Sequence, residues 1–229
     1  MKNKITIVSG HYPNNVYFAK ETKKLLKHYC LNNNYNFFYD NSKDITEYDI
    51  HHLHYRRCIS LINASIKYPD TIWFVWLDSD IYINKSDKIE KIIDLNDTTI
   101  LYHLFHEKPW IYPINTGVKI LHKDALIYEK EIYDLRNTKP WNIFPFEQKT
   151  MAEYILPKIK GKYIIHDPYI MNCIVKLYPK KLNDALFIHM CNMSEKERNM
   201  FIIKKKFLKS LFYIFIIIIF TVFIIKYNQ

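Results

Sequence analysis

The chain has 229 residues, 49% of them hydrophobic and 16% aromatic, which is enough for one domain with a sizeable core and excludes an intrinsically disordered chain. Its formal net charge is +10, but six of those charges lie in the last 34 residues, so the composition predicts no nucleic-acid partner. The four cysteines form no C-x-x-C pair and no apolar signal peptide opens the chain, which predicts reduced thiols in a cytosolic domain.

The periodicity of the apolar residues predicts short strands that alternate with helices. In chain order, the predicted elements are a strand at 4–9, a helix at 14–31, a strand at 35–39, a loop at 40–52, a helix at 54–68, and strands at 71–77, 98–102 and 118–121. The run at 71–77 is apolar throughout, which is typical of a strand buried on both faces. The sequence therefore predicts an α/β domain over residues 1–200, with a mixed, mainly parallel sheet flanked by helices.

The last part of the chain is predicted to be a membrane anchor. Residues 207–225 contain one charged residue, Lys209, and as a helix they would span about 28 Å, close to the thickness of the hydrocarbon core of a bilayer. Three lysines at 204–206 precede the apolar run, and the positive-inside rule then places the main domain in the cytosol. We therefore expect a basic linker and a single-pass C-terminal transmembrane helix over 201–229; a buried core helix is the alternative.

A pair of carboxylates marks the predicted functional site. The chain has only three glycines, too far apart to form a glycine-rich phosphate loop. The motif Asp78-Ser79-Asp80 directly follows the apolar strand at 71–77. Open α/β sheets bind ligands at the carboxyl ends of their strands, and two carboxylates there suit a divalent cation and its phosphate ligands. The motif therefore predicts a cation-dependent phosphate site; a solvated turn or a helix cap is the alternative.

The segment around this motif, residues 55–83, resembles the core of metal-dependent glycosyltransferases of the GT-A fold. It is most similar to glycosyltransferase family 34, which contains galactosyl-, mannosyl- and xylosyltransferases. Three further motifs resemble those of the family and follow in the same order: INTGV at 114–118, FEQ at 146–148 and FIH at 187–189. The resemblance covers residues 4–192 and implies a GT-A-like fold.

The resemblance also implies a function and a set of site residues. It implies retaining transfer of a hexose or pentose from a nucleotide-diphosphate sugar to a glycan, protein or lipid acceptor, with Mn²⁺ or another divalent cation. The metal would be held by Asp78, Asp80 and His189. The donor would be bound by Gly10, Arg57, Asp78, Ser79, Asp80, Asn115 and Gly117. The catalytic pair beside the anomeric carbon would be Gln148 and Glu147.

Other functions stay open at this point. Asp78 and Asp80 also suit a metal-dependent nucleotidyltransferase or phosphohydrolase, although the sequence lacks the additional clustered acids that such enzymes usually need. An inactive tail-anchored scaffold with the same fold is a third alternative. Several residues between and after the later strands are candidates for acceptor contacts, with core or surface roles as the alternative: His103, His106, Trp110, His166 and Asp167.

Overall fold

The structure is a computed structural model that describes residues 4–12, 16–41, 50–107 and 113–227. The chain divides into two compact units, residues 1–191 and residues 192–229. The described part of the first unit contains nine strands: β1 Ile5–Gly10, β2 Asn36–Asp40, β3 Trp73–Leu77, β4 Ile81–Ile83, β5 Tyr102–Phe105, β6 Asn115–His122, β7 Tyr163–His166, β8 Cys173–Ile174 and β9 Phe187–His189. Its α-helices are α1 Tyr17–Asn33, α2 Arg56–Lys67, α3 Leu126–Asp134, α4 Glu147–Thr150 and α5 Leu156–Lys158, and a π-helical turn, Met151–Ile155, joins the last two.

The main sheet has six strands in the order β2-β1-β3-β6-β5-β7. Only β6 runs antiparallel to its neighbours; the other pairs, β1 with β2, β1 with β3 and β5 with β7, are parallel. A second sheet has three strands in the order β4-β9-β8. The prediction of an α/β domain with a mixed, mainly parallel sheet is confirmed.

Strand β3 is buried along its whole length, as its continuous apolar sequence predicts. Trp73, Val75 and Leu77 face one core layer, which α1 and the second sheet help to close. Phe74 and Trp76 face the other layer, which contains residues of α2 and α3. Because both faces are covered, ligands can reach β3 only at its end, where the carboxylate motif begins.

The later strands differ from the prediction at their bounds. The predicted strand 98–102 is wrong, because β5 begins only at Tyr102. Asp97 Oδ1 accepts hydrogen bonds from the backbone N–H of Thr99 (3.0 Å) and from its hydroxyl (2.6 Å), which holds a turn there. Strand β6 begins at Asn115 instead of at 118, because Asn115 pairs with Phe105 of β5 beyond an irregularity in the ladder.

The second unit is dominated by one helix, α6 Glu195–Tyr227. A capping box begins it: the Ser194 N–H donates to Glu197 Oε2 (2.6 Å) and the Glu197 N–H donates to Ser194 Oγ (3.3 Å). The capped helix continues through residues 201–206, at the start of the segment predicted to be a basic linker and anchor. Over the described residues, no helix combines the length and the apolar character that crossing a membrane requires. The predicted transmembrane helix at 207–225 is thus not supported.

Candidate active site

The ends of two strands bring the three predicted metal ligands together. Asp78 and Asp80 follow β3, and His189 ends β9. Backbone hydrogen bonds fix the motif on both sides: the Asp78 N–H donates to the Gly117 carbonyl (2.8 Å) and the Met190 N–H donates to the Asp80 carbonyl (3.0 Å). His189 Nε2 lies 3.2 Å from Asp80 Oδ1 and 3.9 Å from Asp78 Oδ2. One ligand atom from each of the three residues lies within 4.8 Å of the others.

This donor set fits a divalent transition-metal ion. Two carboxylates and one imidazole suit Mn²⁺ better than Ca²⁺, whose sites use oxygen ligands only. The His189 side chain is 3% exposed and the Asp78 side chain 24%, so the cluster is open on its Asp78 side. Trp76 Nε1–H donates to Asp78 Oδ1 (2.6 Å), and an Arg57 nitrogen lies 3.4 Å from the same oxygen. The other oxygen, Oδ2, is therefore the one turned toward His189.

A buried amide orients the His189 ring. His189 Nδ1–H donates to Asn172 Oδ1 (2.9 Å), and Asn172 Nδ2 donates to Asn115 Oδ1 (3.0 Å). The same Asn115 oxygen accepts the backbone N–H of Gly117 (2.9 Å). These bonds keep one proton on Nδ1 and turn Nε2 toward the two carboxylates. Asn172 was not predicted from the sequence.

The surroundings of His189 favour its charged form. Burial lowers the pKa of the imidazole, but the neighbouring Cys191 and Asp80 raise it more, so the pKa lies well above its usual value. A cation that binds Nε2 must displace the proton there.

Gly117 provides the space that the imidazole occupies. A Cβ atom at this position would overlap Cε1 of His189 and would lie 2.9 Å from Asn115 Oδ1. A side chain cannot be added without moving the ring, which is why strand β6 needs glycine here. The sequence predicted a donor-binding role for Gly117; the structure places it directly beside the third candidate metal ligand.

A second polar group lies beside the metal cluster, and sequence reasoning missed its centre, Glu107. Asn115 Nδ2 donates to Glu107 Oε1 (3.1 Å), and Gln148 Nε2 donates to Glu107 Oε2 (2.9 Å). Gln148 Oε1 in turn accepts the backbone N–H of Thr116 (3.3 Å). We call Gln148, Glu107, Asn115 and Asn172 the polar row. Glu107 stands just after β5, as the aspartates stand just after β3, and that position was the available signal.

Arg57 supports the site from α2. Its NH1 group donates to the carbonyl (2.9 Å) and hydroxyl (2.6 Å) of Thr116 and lies 3.2 Å from Glu147 Oε2, while NH2 lies 3.4 Å from Asp78. Burial lowers the pKa of Arg57, but Asp78 and Glu147 raise it more, so the guanidinium stays charged. The sequence predicted a donor contact for Arg57; in the structure its guanidinium already bonds three protein residues.

Glu147 is enclosed by protein groups and is 1% exposed. Its Oε2 accepts the Thr116 hydroxyl (3.0 Å), and its Oε1 accepts from Lys119 Nζ (3.2 Å). Lys119 is fully buried and also bonds Glu129 (2.7 Å), which accepts the Tyr102 hydroxyl (3.1 Å). Burial lowers the pKa of Lys119, but Glu129 and Glu147 raise it more, so a charged cluster lies beneath the site. Of the predicted catalytic pair, only Gln148 joins the polar row.

The loop after β1 meets the carboxylate motif. His11 Nδ1 lies 2.8 Å from Ser79 Oγ, and the Thr22 hydroxyl donates to the Ser79 carbonyl (2.6 Å). A Cβ atom on Gly10 would lie 2.6 Å from the Asp40 carbonyl oxygen, so glycine allows β1 and β2 to end close together. The loop that follows Gly10 therefore contacts the carboxylate motif at Ser79.

Three of the candidate acceptor contacts, His103, His106 and His166, lie in or just after β5 and β7. Trp110 falls outside the described residues. His103 Nδ1 lies 3.0 Å from His166 Nε2, and His106 Nδ1 lies 3.0 Å from the Pro113 carbonyl. Burial and the neighbouring His166 lower the pKa of His103 to about 4, and burial lowers that of His166. Both rings are therefore neutral near pH 7.

Comparisons with known proteins define the class. A glycosyltransferase of PBCV-1, involved in the glycosylation of the major capsid of that virus, is 53% identical, with a TM-score of 0.83 over 86% of this chain and 97% of the viral one. The apo form of the glycosyltransferase GlyE of Streptococcus pneumoniae is 11% identical with a TM-score of 0.55, over 84% of this chain and 55% of GlyE, and it shares the fold alone. No curated protein matches significantly.

The fold and the close viral relative thus define a glycosyltransferase. The family model of the galactosyl transferase GMA12/MNN10 family matches residues 3–125, and the chain belongs to this family. Membership favours sugar transfer over the nucleotidyltransferase, phosphohydrolase and inactive-scaffold alternatives.

Proposed function

We propose that the protein is a metal-dependent, retaining glycosyltransferase that uses a nucleotide-diphosphate sugar as its donor. One observation carries the proposal: Asp78, Asp80 and His189 converge at the strand ends, directly beside the polar row. Such an arrangement places a site suited to a cation and a diphosphate beside a group of amides and one carboxylate suited to the hydroxyls of a sugar.

The residues of the metal cluster would bind Mn²⁺ or a similar ion. When bound, a divalent cation stabilises the negative charge that develops on the departing diphosphate. Arg57 holds one oxygen of Asp78, which orients the carboxylate and adds positive charge behind it. We assign Ser79 and Gly10 to the nucleotide side of the donor, where the loop after β1 meets the motif.

The polar row would bind the donor sugar. Glu107 accepts hydrogen bonds, and the amides of Asn115 and Gln148 both donate and accept them, so together they can fix several hydroxyls. A neutral amide at Gln148 can stabilise positive charge near the anomeric carbon without trapping it. Because both Glu147 oxygens already bond protein groups, we assign Glu147 the positioning of Arg57 and Thr116 instead of nucleophilic attack.

The acceptor is proposed to be a protein-linked glycan. The support is the viral relative, which is 53% identical over nearly its whole length and is involved in capsid glycosylation. The transferred sugar, a hexose or a pentose, and the cytosolic location stay predictions.

Donor hydrolysis by the full chain tests this function. UDP- and GDP-linked galactose, glucose, mannose and xylose are incubated with and without Mn²⁺, and the products are followed by NMR. We expect one donor to release its nucleoside diphosphate only when the cation is present, with the sugar first appearing in the anomeric configuration of the donor. Release of a nucleoside monophosphate would contradict the proposal, because it would mean cleavage within the diphosphate.

The affinity for Mn²⁺ is expected to rise with pH. The pKa of His189 is raised above 6.5, so the ring holds its Nε2 proton below that raised pKa and loses it above. Calorimetric titrations of Mn²⁺ at several pH values, in two buffers of different ionisation enthalpy, should show proton release that decreases as the pH passes the raised pKa. An affinity independent of pH between 6 and 8.5 would exclude His189 as a ligand.

Asn172→Leu is expected to weaken Mn²⁺ binding by roughly 10- to 100-fold, because the His189 ring would lose the acceptor that orients it. Asn33→Leu is the control: Asn33 is also a buried amide, and it donates to the Tyr29 carbonyl far along the chain from the site. Both changes should lower stability, but only the first should change the Mn²⁺ titration. If both variants lowered the affinity for Mn²⁺ equally, Asn172 would act only through the stability of the fold.

A further inference from the structure

A cavity of about 450 Å³ lies at the ends of β5 and β7, and it is lined by none of the residues assigned above to the metal or the donor. Phe105 and Met171, both buried in the core, form part of its wall. Its polar groups come from His166, Asp167, Lys181 and Asp184. A volume of this size, apolar within and carrying a few polar groups, is typical of a site for a small ligand.

One side of the cavity is formed by an ordered aromatic residue, Tyr169. The Tyr169 ring packs edge-on against Tyr178 at 5.1 Å, and Lys181 Nζ lies 5.7 Å from its centre. Tyr169 and Ile170 are nevertheless 36% and 44% exposed, so both can be reached from solvent. The backbone of Ile170 is fixed as well, since its carbonyl accepts the N–H groups of residues 186 and 187 at 2.7 and 3.1 Å.

The charges around the cavity select against an anionic ligand. Among the described residues of the wall, Asp167 and Asp184 are acidic, Lys181 is basic, and His166 is neutral near pH 7 because burial lowers its pKa. Phosphates and nucleotides would meet net negative charge here. A pyranose is neutral, has an apolar C–H face for Tyr169 and Ile170, and has hydroxyls for the carboxylates and the imidazole.

Two residues of the cavity wall are direct neighbours of site residues, one along the chain and one across the sheet. Met171 precedes Asn172, which orients His189, and Phe105 pairs with Asn115 of the polar row across the β5–β6 ladder. The cavity and the active site therefore share the segment 171–172 and the β5–β6 ladder.

We propose that this cavity is a subsite for a neutral pyranose unit of the acceptor glycan, at a distance from the hydroxyl that receives the transferred sugar. This inference rests on the proposed function. Binding energy gained at such a subsite would lower the KM for the acceptor and would leave the donor reaction in its absence unchanged.

The test fills the cavity without touching the donor site. Ile170→Trp places a large ring at the mouth while its backbone bonds can persist, and Asp184→Asn removes one carboxylate. Ile164→Trp is the matched control, because Ile164 is an isoleucine of similar exposure, 40%, that does not line the cavity. The probes are the methyl glycosides of glucose, galactose, mannose and xylose, added to the full chain and followed by ligand-observed NMR.

We expect at least one methyl glycoside to bind wild-type protein and the Ile164→Trp variant, and to lose at least fivefold in affinity in Ile170→Trp and Asp184→Asn. Hydrolysis of the donor should be the same in all four proteins. Binding that the two cavity changes leave unaltered, or no binding of any glycoside by a wild type that hydrolyses its donor, would overturn the subsite. If the wild-type protein hydrolysed no donor, the proposed function would be refuted, whether or not the methyl glycosides bind.

Discussion

Asp80→Asn is expected to lower kcat/KM for sugar transfer by about 10³-fold or more. Asp80 Oδ1 lies 3.2 Å from His189 Nε2, so the change removes a negative ligand from the centre of the metal cluster while keeping the size of the side chain. A cation that stabilises the departing diphosphate is worth several kcal/mol, and each 1.36 kcal/mol lost from transition-state stabilisation costs about tenfold in rate. Steady-state kinetics with saturating Mn²⁺ measure the effect.

The control for this change is Asp87→Asn. Asp87 is an exposed aspartate in the same part of the chain, and the contact found for it, with the Tyr29 hydroxyl, uses its backbone carbonyl. Its replacement should leave kcat/KM within twofold of the wild-type value. If Asp80→Asn lowered kcat/KM by less than tenfold, the metal cluster would have no part in the reaction.

Lys119→Met is expected to lower the free energy of unfolding by about 3–5 kcal/mol, since removal of one partner leaves buried charges uncompensated. Lys119 is fully buried between Glu129 (2.7 Å) and Glu147 (3.2 Å), which are themselves buried. Met has nearly the same shape, so the loss measures charge and hydrogen bonding, not an empty cavity. Urea unfolding followed by circular dichroism gives the value.

Two further variants isolate the cause. Lys119→Met combined with Glu129→Gln should recover part of the loss, because Glu129, the carboxylate that loses its cation while Glu147 keeps Arg57, becomes neutral. Lys130→Met breaks the exposed pair with Asp134 and should cost no more than about 1 kcal/mol. A loss below 1 kcal/mol for Lys119→Met would show that the buried charges are not coupled as the distances indicate.

The part of the site that could be predicted from the sequence is local or carried by a family motif. Asp78 and Asp80 follow an apolar strand within a few residues, so burial of the strand and exposure of its end can be inferred from one short segment. His189 lies 109 residues after Asp80 along the chain. Its role as a metal ligand was predicted only from the family resemblance, because nothing in the neighbouring sequence shows that β9 pairs with β4.

The rest of the site depends on contacts between distant segments. Asn172 lies in a loop after β7 with no motif around it, and its importance appears only when its amide is seen between His189 and Asn115. Glu147 shows the reverse: its motif suggested a catalytic carboxylate, but Lys119 and Arg57, from two other elements, occupy its oxygens. Sequence periodicity contains no information on such pairings.

The Mn²⁺ titration of the full chain by electron paramagnetic resonance tests the central claim most directly, because free Mn²⁺ gives a signal that decreases as the ion binds. The account predicts one Mn²⁺ per wild-type chain and per Asp87→Asn chain, with tighter binding when UDP or GDP is added. Asp80→Asn and His189→Ala should each lose this binding. If both of these variants still bound one Mn²⁺ per chain, the result would contradict the claim that Asp78, Asp80 and His189 together hold the cation.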